Sequence, residues 1–171
     1  MNTDRVEKKV LLNAPLKRVW QAVSDSTEFG TWFGVRFDGP FTPGASLRGT
    51  IVGTMVNAEV AAAQKKYEGT PFEITVEQVQ PERVLSFRWH PYSVEPGVDS
   101  SGEPTTLVVF NLEETANGVL LTVTESGFDQ IPLARRPKAF TANEQGWGIQ
   151  VKLIEAYLVQ AVHAQHPGSA G

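Results

Sequence analysis

The sequence predicts an α+β domain in which a curved antiparallel sheet wraps a long C-terminal helix, with two short helices after the first strand. Three observations predict it. Several segments alternate apolar and polar residues with the period of a half-buried strand, and Asn117-Gly118 between two of them signals a hairpin. One short apolar stripe at helical spacing follows the first strand. A long one, with Trp147, Val151, Ile154 and Leu158, closes the chain. Antiparallel strands with helices gathered on one face are the α+β arrangement.

The elements follow in order. Arg5 to Leu12 is β-rich and stops at Asn13-Ala14-Pro15, where Pro15 suits a first helical turn and Asn13 is placed to cap it. Leu16, Val19, Trp20 and Val23 form the stripe of the first helix, and Ser24-Asp25 ends it and caps a second short turn toward Phe29 and Trp32-Phe33. Val35 to Phe37 and Leu47 to Val52 read as a hairpin, separated by Gly39-Pro40 and Pro43-Gly44. Val56 to Tyr67, rich in Ala, Glu, Gln and Lys, reads as one or two helical turns of a flap over the sheet. Phe72 to Val79 alternates as a strand. Val84 to His90 puts Leu85, Phe87 and Trp89 on one face and Ser86, Arg88 and His90 on the other. A loop from Pro91 to Pro104 precedes the strand Thr105 to Glu114, which places Val108, Phe110 and Leu112 together. The next strand, Val119 to Phe128, places Val119, Leu121, Val123 and Glu125 together. Pro137 to His166 is the long helix, ended by Pro167-Gly168. At about 1.5 Å per residue it runs the full length of the sheet. One domain over residues 5–166 and a flexible tail over 167–171 are expected.

Composition narrows the function classes. The 171 residues carry 15 Lys plus Arg against 19 Asp plus Glu, a formal charge of -4, with basic residues in pairs only. Nucleic acid and anionic membrane surfaces, which need a basic patch to displace counterions, are therefore not expected partners. With no cysteine, disulfides, thiol catalysis and iron-sulfur ligation are excluded. No signal peptide pattern and no run of 18 apolar residues is present, so the cytoplasm is the expected compartment. Three scattered histidines, His90, His163 and His166, make no metal set, and neither a metal nor a cofactor is expected. His90 falls on the outer face as a solvated or loop-supporting residue, and the other two suit a helix C-terminus. There is no Gly-x-Ser-x-Gly elbow, phosphate loop or dinucleotide fingerprint, so no catalytic residue is assigned from a motif.

Five pieces in order carry a resemblance. They are Asn13-Ala14-Pro15 with Val19-Trp20; Trp32-Phe33; Pro81-Glu82-Arg83-Val84-Leu85-Ser86-Phe87-Arg88-Trp89; Thr122-Val123-Thr124-Glu125-Ser126-Gly127-Phe128; and Gly146-Trp147. Over residues 5–163 the chain resembles the START-like, helix-grip superfamily (SRPBCC), and within it the group named after the activator of Hsp90 ATPase. The resemblance implies a cavity between sheet and long helix, used in the superfamily for hydrophobic ligands. It also implies a chaperone partner, Hsp90, and a stress response; the eukaryotic activator carries an additional N-terminal domain that these residues do not include. A homodimer is compatible with it.

Trp32, Phe37, Phe72, Phe87, Trp89, Phe110, Phe128 and Trp147, with Val151 on the helix, are the candidate lining of such a pocket, against the alternative that they only fill the core. Glu125 is the inward carboxylate. A buried carboxylate must be paired or protonated, so it either orients a ligand, serves as general acid or base, or reaches solvent or an arginine at the strand end. The leading expectation is a binding protein for a hydrophobic or aromatic small molecule. The alternatives are a cyclase, dehydratase or hydrolase using Glu125 and a chaperone-interaction module.

Overall fold

The computed structural model describes residues 5–91 and 102–165. Its elements run β1 (Arg5–Leu12), α1 (Leu16–Ser24), α2 (Ser26–Phe33), β2 (Val35–Phe37), β3 (Ser46–Ile51), α3 (Ala58–Gln64), β4 (Pro71–Gln80), β5 (Val84–Trp89), β6 (Thr106–Thr115), β7 (Gly118–Ser126) and α4 (Arg136–Gln165). The strands form one seven-stranded antiparallel sheet in the order β1-β7-β6-β5-β4-β3-β2. It curves around α4, whose 30 residues extend about 45 Å. Helix α4 lies along β1 and meets α1 and α2. This is the helix-grip arrangement.

Alternation decides which face each strand buries. Val6 and Leu12 of β1, Leu85 and Phe87 of β5, Val108, Phe110 and Leu112 of β6, and Val119, Leu121, Val123 and Glu125 of β7 all point into the core. The helix stripe Trp147, Val151, Ile154 and Leu158 closes the other side, joined by Leu153. In α1 the stripe is split: Val19 and Val23 are buried, whereas Leu16 and Trp20 are half-buried. A bulge in β4 between Val76 and Gln78 frees the Gln78 amide to donate to Ser86 Oγ at 3.1 Å. That bond satisfies a serine which is buried although it lies on the face opposite Leu85 and Phe87.

Several details differ from the sequence reading, among them strand ends shifted by one or two residues in β3, β4, β6 and β7. Asn13 does not cap α1: Pro15 is the capping residue, with extended backbone and no side-chain bond. Pro15 thus stands just before the first turn, and its carbonyl accepts from the amides of Arg18 and Val19, both at 3.0 Å. The β6–β7 loop consists of Ala116 and Asn117, with Gly118 already paired to Thr115. Strand β5 ends at Trp89, not His90. The long helix begins one residue earlier than expected, at Arg136. The end of that helix at His166, the tail 167–171, and the Pro96-Gly97 turn lie outside the described residues.

Helix α2 starts at Asp25, whose Oδ1 accepts from the amides of Thr27 and Glu28 at 2.9 and 3.0 Å. It ends at Gly34, with φ 94°. A Cβ on Gly34 would lie 2.8 Å from both Gln64 Oε1 and the Thr54 amide nitrogen, so only glycine lets the flap approach here.

Candidate functional site

Glu125 is fully buried and surrounded by donors. Trp89 Nε1 donates to Oε2 at 2.7 Å, Thr106 Oγ1 to Oε2 at 2.5 Å and Trp147 Nε1 to Oε1 at 2.8 Å. Asn143 Nδ2 reaches both oxygens, at 2.8 and 3.0 Å. An indole N–H has no acceptor capacity, so this set fits an acceptor-only carboxylate. Among the described residues no Lys, Arg or His pairs with it. Of the three fates read from sequence, neither solvent nor an arginine is found. The carboxylate instead clamps two indoles whose rings stack at 5.7 Å and 28°.

Sequence position explains the convergence. Trp89 ends β5, Thr106 starts β6 and lies opposite Trp89, and Glu125 pairs with Val108 near the end of β7. Asn143 and Trp147 are four residues apart on α4 and so share one helix face. Helix and sheet are thereby joined through one buried polar node.

Beside this node opens a cleft of about 620 Å³, bounded by the flap, the β3–β5 part of the sheet and the first half of α4. Phe33, Val35, Ile51, Phe72, Trp89 and Ile149 supply most of its apolar wall. The described residues that line it include no Asp or Glu; Lys66, exposed on the flap, stands at the rim. A recess of about 130 Å³ adjoins it, lined by Phe33, Trp89, Asn143, Trp147 and Gln150 among others. Gly146 lines both, and a Cβ there would meet nothing within 4 Å.

The candidate lining residues divide. Phe72 and Trp89 face the cleft and Trp147 the recess. Trp32, Phe110, Trp147 and Val151 bound an interior with no room for a water molecule. Phe87 and Phe128 are buried, and Phe37 is half-buried against Phe29, Phe41 and Phe72. Glu125 lines neither the cleft nor the recess. His90 does not fall on the outer face as alternation predicts: just past the end of β5 it lies half-buried at the cleft, with its Nε2 2.9 Å from the Glu103 carbonyl oxygen, and supports the loop entering β6.

Asn143 and Gln150 were not singled out from sequence, and Gly146 only as part of the Gly146-Trp147 piece. Their signal was present: they stand four before, one before and three after Trp147, so two of them share its helix face. Phe33 entered the sequence reading only within the Trp32-Phe33 piece, yet its carbonyl accepts from both Gln64 Nε2 of the flap and Gln150 Nε2 of α4, at 3.3 and 3.2 Å.

Further along α4, Tyr157 donates to Glu28 Oε1 at 2.7 Å, and Arg18 pairs with the same oxygen at 2.8 Å while lying 5.6 Å above the Tyr157 ring. Burial, followed by the bond to Glu28, pushes the Tyr157 phenol up to about 12. Among the described residues no cluster of His, Asp or Glu could hold a metal ion, and no helix is long and apolar enough to cross a membrane.

Comparison with curated proteins found no match. Among solved structures, a protein from Mesorhizobium loti superposes with a TM-score of 0.66 at 19% identity, covering 91% of this chain and 97% of that one. One from Nitrosomonas europaea gives 0.65 at 19% identity, covering 94% and 97%. DynU16, a protein of the dynemicin biosynthetic locus, gives 0.65 at 28% identity; it covers 92% of this chain, which spans 48% of DynU16. The first two likenesses establish the fold alone. The family model described as activator of Hsp90 ATPase homolog 1-like protein matches residues 13–159. With most of its length matched, the chain belongs to the activator of Hsp90 ATPase homolog 1-like family.

Proposed function

We propose that this protein binds an apolar or aromatic small molecule in the cleft between the flap and the Trp89 wall. The observation that carries the reading is the cleft itself. Its volume of about 620 Å³ falls in the range of small-molecule sites, and its wall is mostly apolar with a few polar side chains. Gly146 supports it. A glycine inside a helix costs about 0.5–1 kcal/mol relative to alanine, and here a side chain would have met no obstacle other than the cleft's own space. The likeness to a protein from a biosynthetic locus also favours a small organic occupant.

Glu125 acts in this reading as a brace, not as an acid or base. Its oxygens already take donors from four residues, and those bonds hold Trp89, Asn143 and Trp147 in place before a ligand arrives. The test is a titration of tryptophan fluorescence with naphthol, in the native protein and in Gly146→Leu. Saturable binding that weakens at least about tenfold in the variant, with no loss of melting temperature, supports the reading. Equal affinity in the two proteins contradicts it. A chaperone partner rests on the family's description. A pull-down with the Hsp90 middle domain tests it: retention supports docking, and no retention removes it.

A further inference from the structure

Resting on the cleft reading, we propose that the recess beside Trp147 selects a hydrogen-bond-donating head, a hydroxyl or protonated amine, of a ligand whose apolar body fills the cleft. The polar atoms of the recess are unevenly matched. Both indole N–H groups at its wall, from Trp89 and Trp147, point at Glu125. Asn143 turns its amide nitrogen onto Glu125 and Gln150 turns its own onto the Phe33 carbonyl. The atom left over is an acceptor on a residue that lines the recess: Gln150 Oε1 is buried out of water's reach and has no hydrogen-bond partner, so a ligand's donor meets it when the Gln150 side chain turns. Asn143 Oδ1 likewise receives no bond from a described residue.

A buried acceptor without a donor is destabilising, and a ligand that supplies the donor removes that cost on binding. The charge behind the wall acts in the same direction. Glu125 contacts Asn143, Trp89 and Trp147 without itself lining the recess, and among the described residues no cation pairs with it. A negative field reaching the recess through these side chains favours a positively polarised head and disfavours an anion. Lys66, which lines the broad cleft, does not line the recess. An acidic group on a ligand is therefore held away from Trp147.

The experiment compares four probes of one shape: naphthol, its methyl ether, protonated naphthylmethylamine and naphthoate, titrated into the native protein and Gln150→Met. Naphthol and the amine should bind at least about tenfold tighter than the ether, with naphthoate no tighter than the ether. In Gln150→Met naphthol and the ether should come within about twofold of each other, which a merely structural role of Gln150 would not produce. If the variant does not fold, the ratios in the native protein decide. Measurable but equal binding of naphthol and its ether overturns the head-group assignment and leaves the cleft reading standing, as does strongest binding of naphthoate. Failure of all four probes to bind overturns the cleft reading and this inference with it.

Discussion

The two sides of the cleft are built differently. On one, Trp89, Trp147, Asn143 and Thr106 converge on the buried Glu125, and the rings of Phe33, Phe110, Trp89 and Trp147 pack against one another at 5.6–6.2 Å. On the other, α3 and the tight turn Lys65–Tyr67 bury no side chain fully, and Val60, Gln64 and Tyr67 are only half-buried. The flap leaves the body at Gly53 and returns at Gly69, both with left-handed backbone. Gln64 ties it to Thr54 and Phe33, and Gln160 of α4 donates to the Val56 carbonyl at 3.0 Å. A wall locked by packing and charge-assisted bonds resists adjustment, whereas a segment held by a few polar contacts opens locally at little cost. The cleft therefore pairs a preorganised surface with an adjustable cover, as ligand-closing sites do.

Substitutions can break this contrast from either side. Replacing Glu125 with leucine strips an acceptor from two indoles, a hydroxyl and an amide in the core, and should lower stability by about 4 kcal/mol in urea unfolding. A loss under about 1 kcal/mol would mean that the node is not what holds the wall. Gly118→Ala should cost about 3 kcal/mol, because its Cβ would lie 2.4 Å from the Leu12 carbonyl oxygen. Gly53→Ala, at the flap hinge with open space around it, should cost only about 1 kcal/mol from its left-handed backbone. Equal costs would remove the distinction between a packed body and a loose flap.

Smaller effects sharpen it. The Tyr157 phenol is raised from its ordinary 10.0 to about 12, so the folded state holds the proton more tightly than the unfolded one. Its contribution is complete below pH about 10 and is lost as pH rises through about 12. The stability gap between the native protein and Tyr157→Phe should accordingly narrow across that window in unfolding curves taken at stepped pH. Gln64→Ala should change global stability by less than about 1 kcal/mol, since its bonds only fasten the flap to Thr54 and to the Phe33 carbonyl. It should nevertheless speed amide hydrogen exchange over residues 58–67 severalfold while leaving β5 to β7 unchanged.

The strands, both short helices and the inward position of Glu125 were legible because alternation and helical spacing record which side of an element is buried. Asp25 was legible as a cap because its side chain acts within three residues. Asn13 was not, because a cap residue competes with the Pro15 geometry that only the folded backbone reveals. The site was harder. Periodicity marks Phe87, Phe110 and Trp147 as inward but cannot say whether inward means packed or lining a space. That depends on how α3 and α4 meet Phe33 across more than 30 and more than 110 residues of chain. The partners of Glu125 come from two strands and a helix brought together by the fold, and no local pattern records such a set.

The most direct measurement uses the four tryptophans, Trp20, Trp32, Trp89 and Trp147, as separate reporters in a nitrogen–proton correlation spectrum. Trp89 and Trp147 donate to Glu125 at the cleft wall, whereas Trp32 donates to the Ala22 carbonyl in the core and Trp20 sits on α1. Titration with naphthol should shift the indole signals of Trp89 and Trp147 along saturating curves with one shared affinity and leave those of Trp20 and Trp32 in place. Four unmoved signals, or shifts confined to Trp20 and Trp32, would contradict a ligand site between the flap and the Trp89 wall.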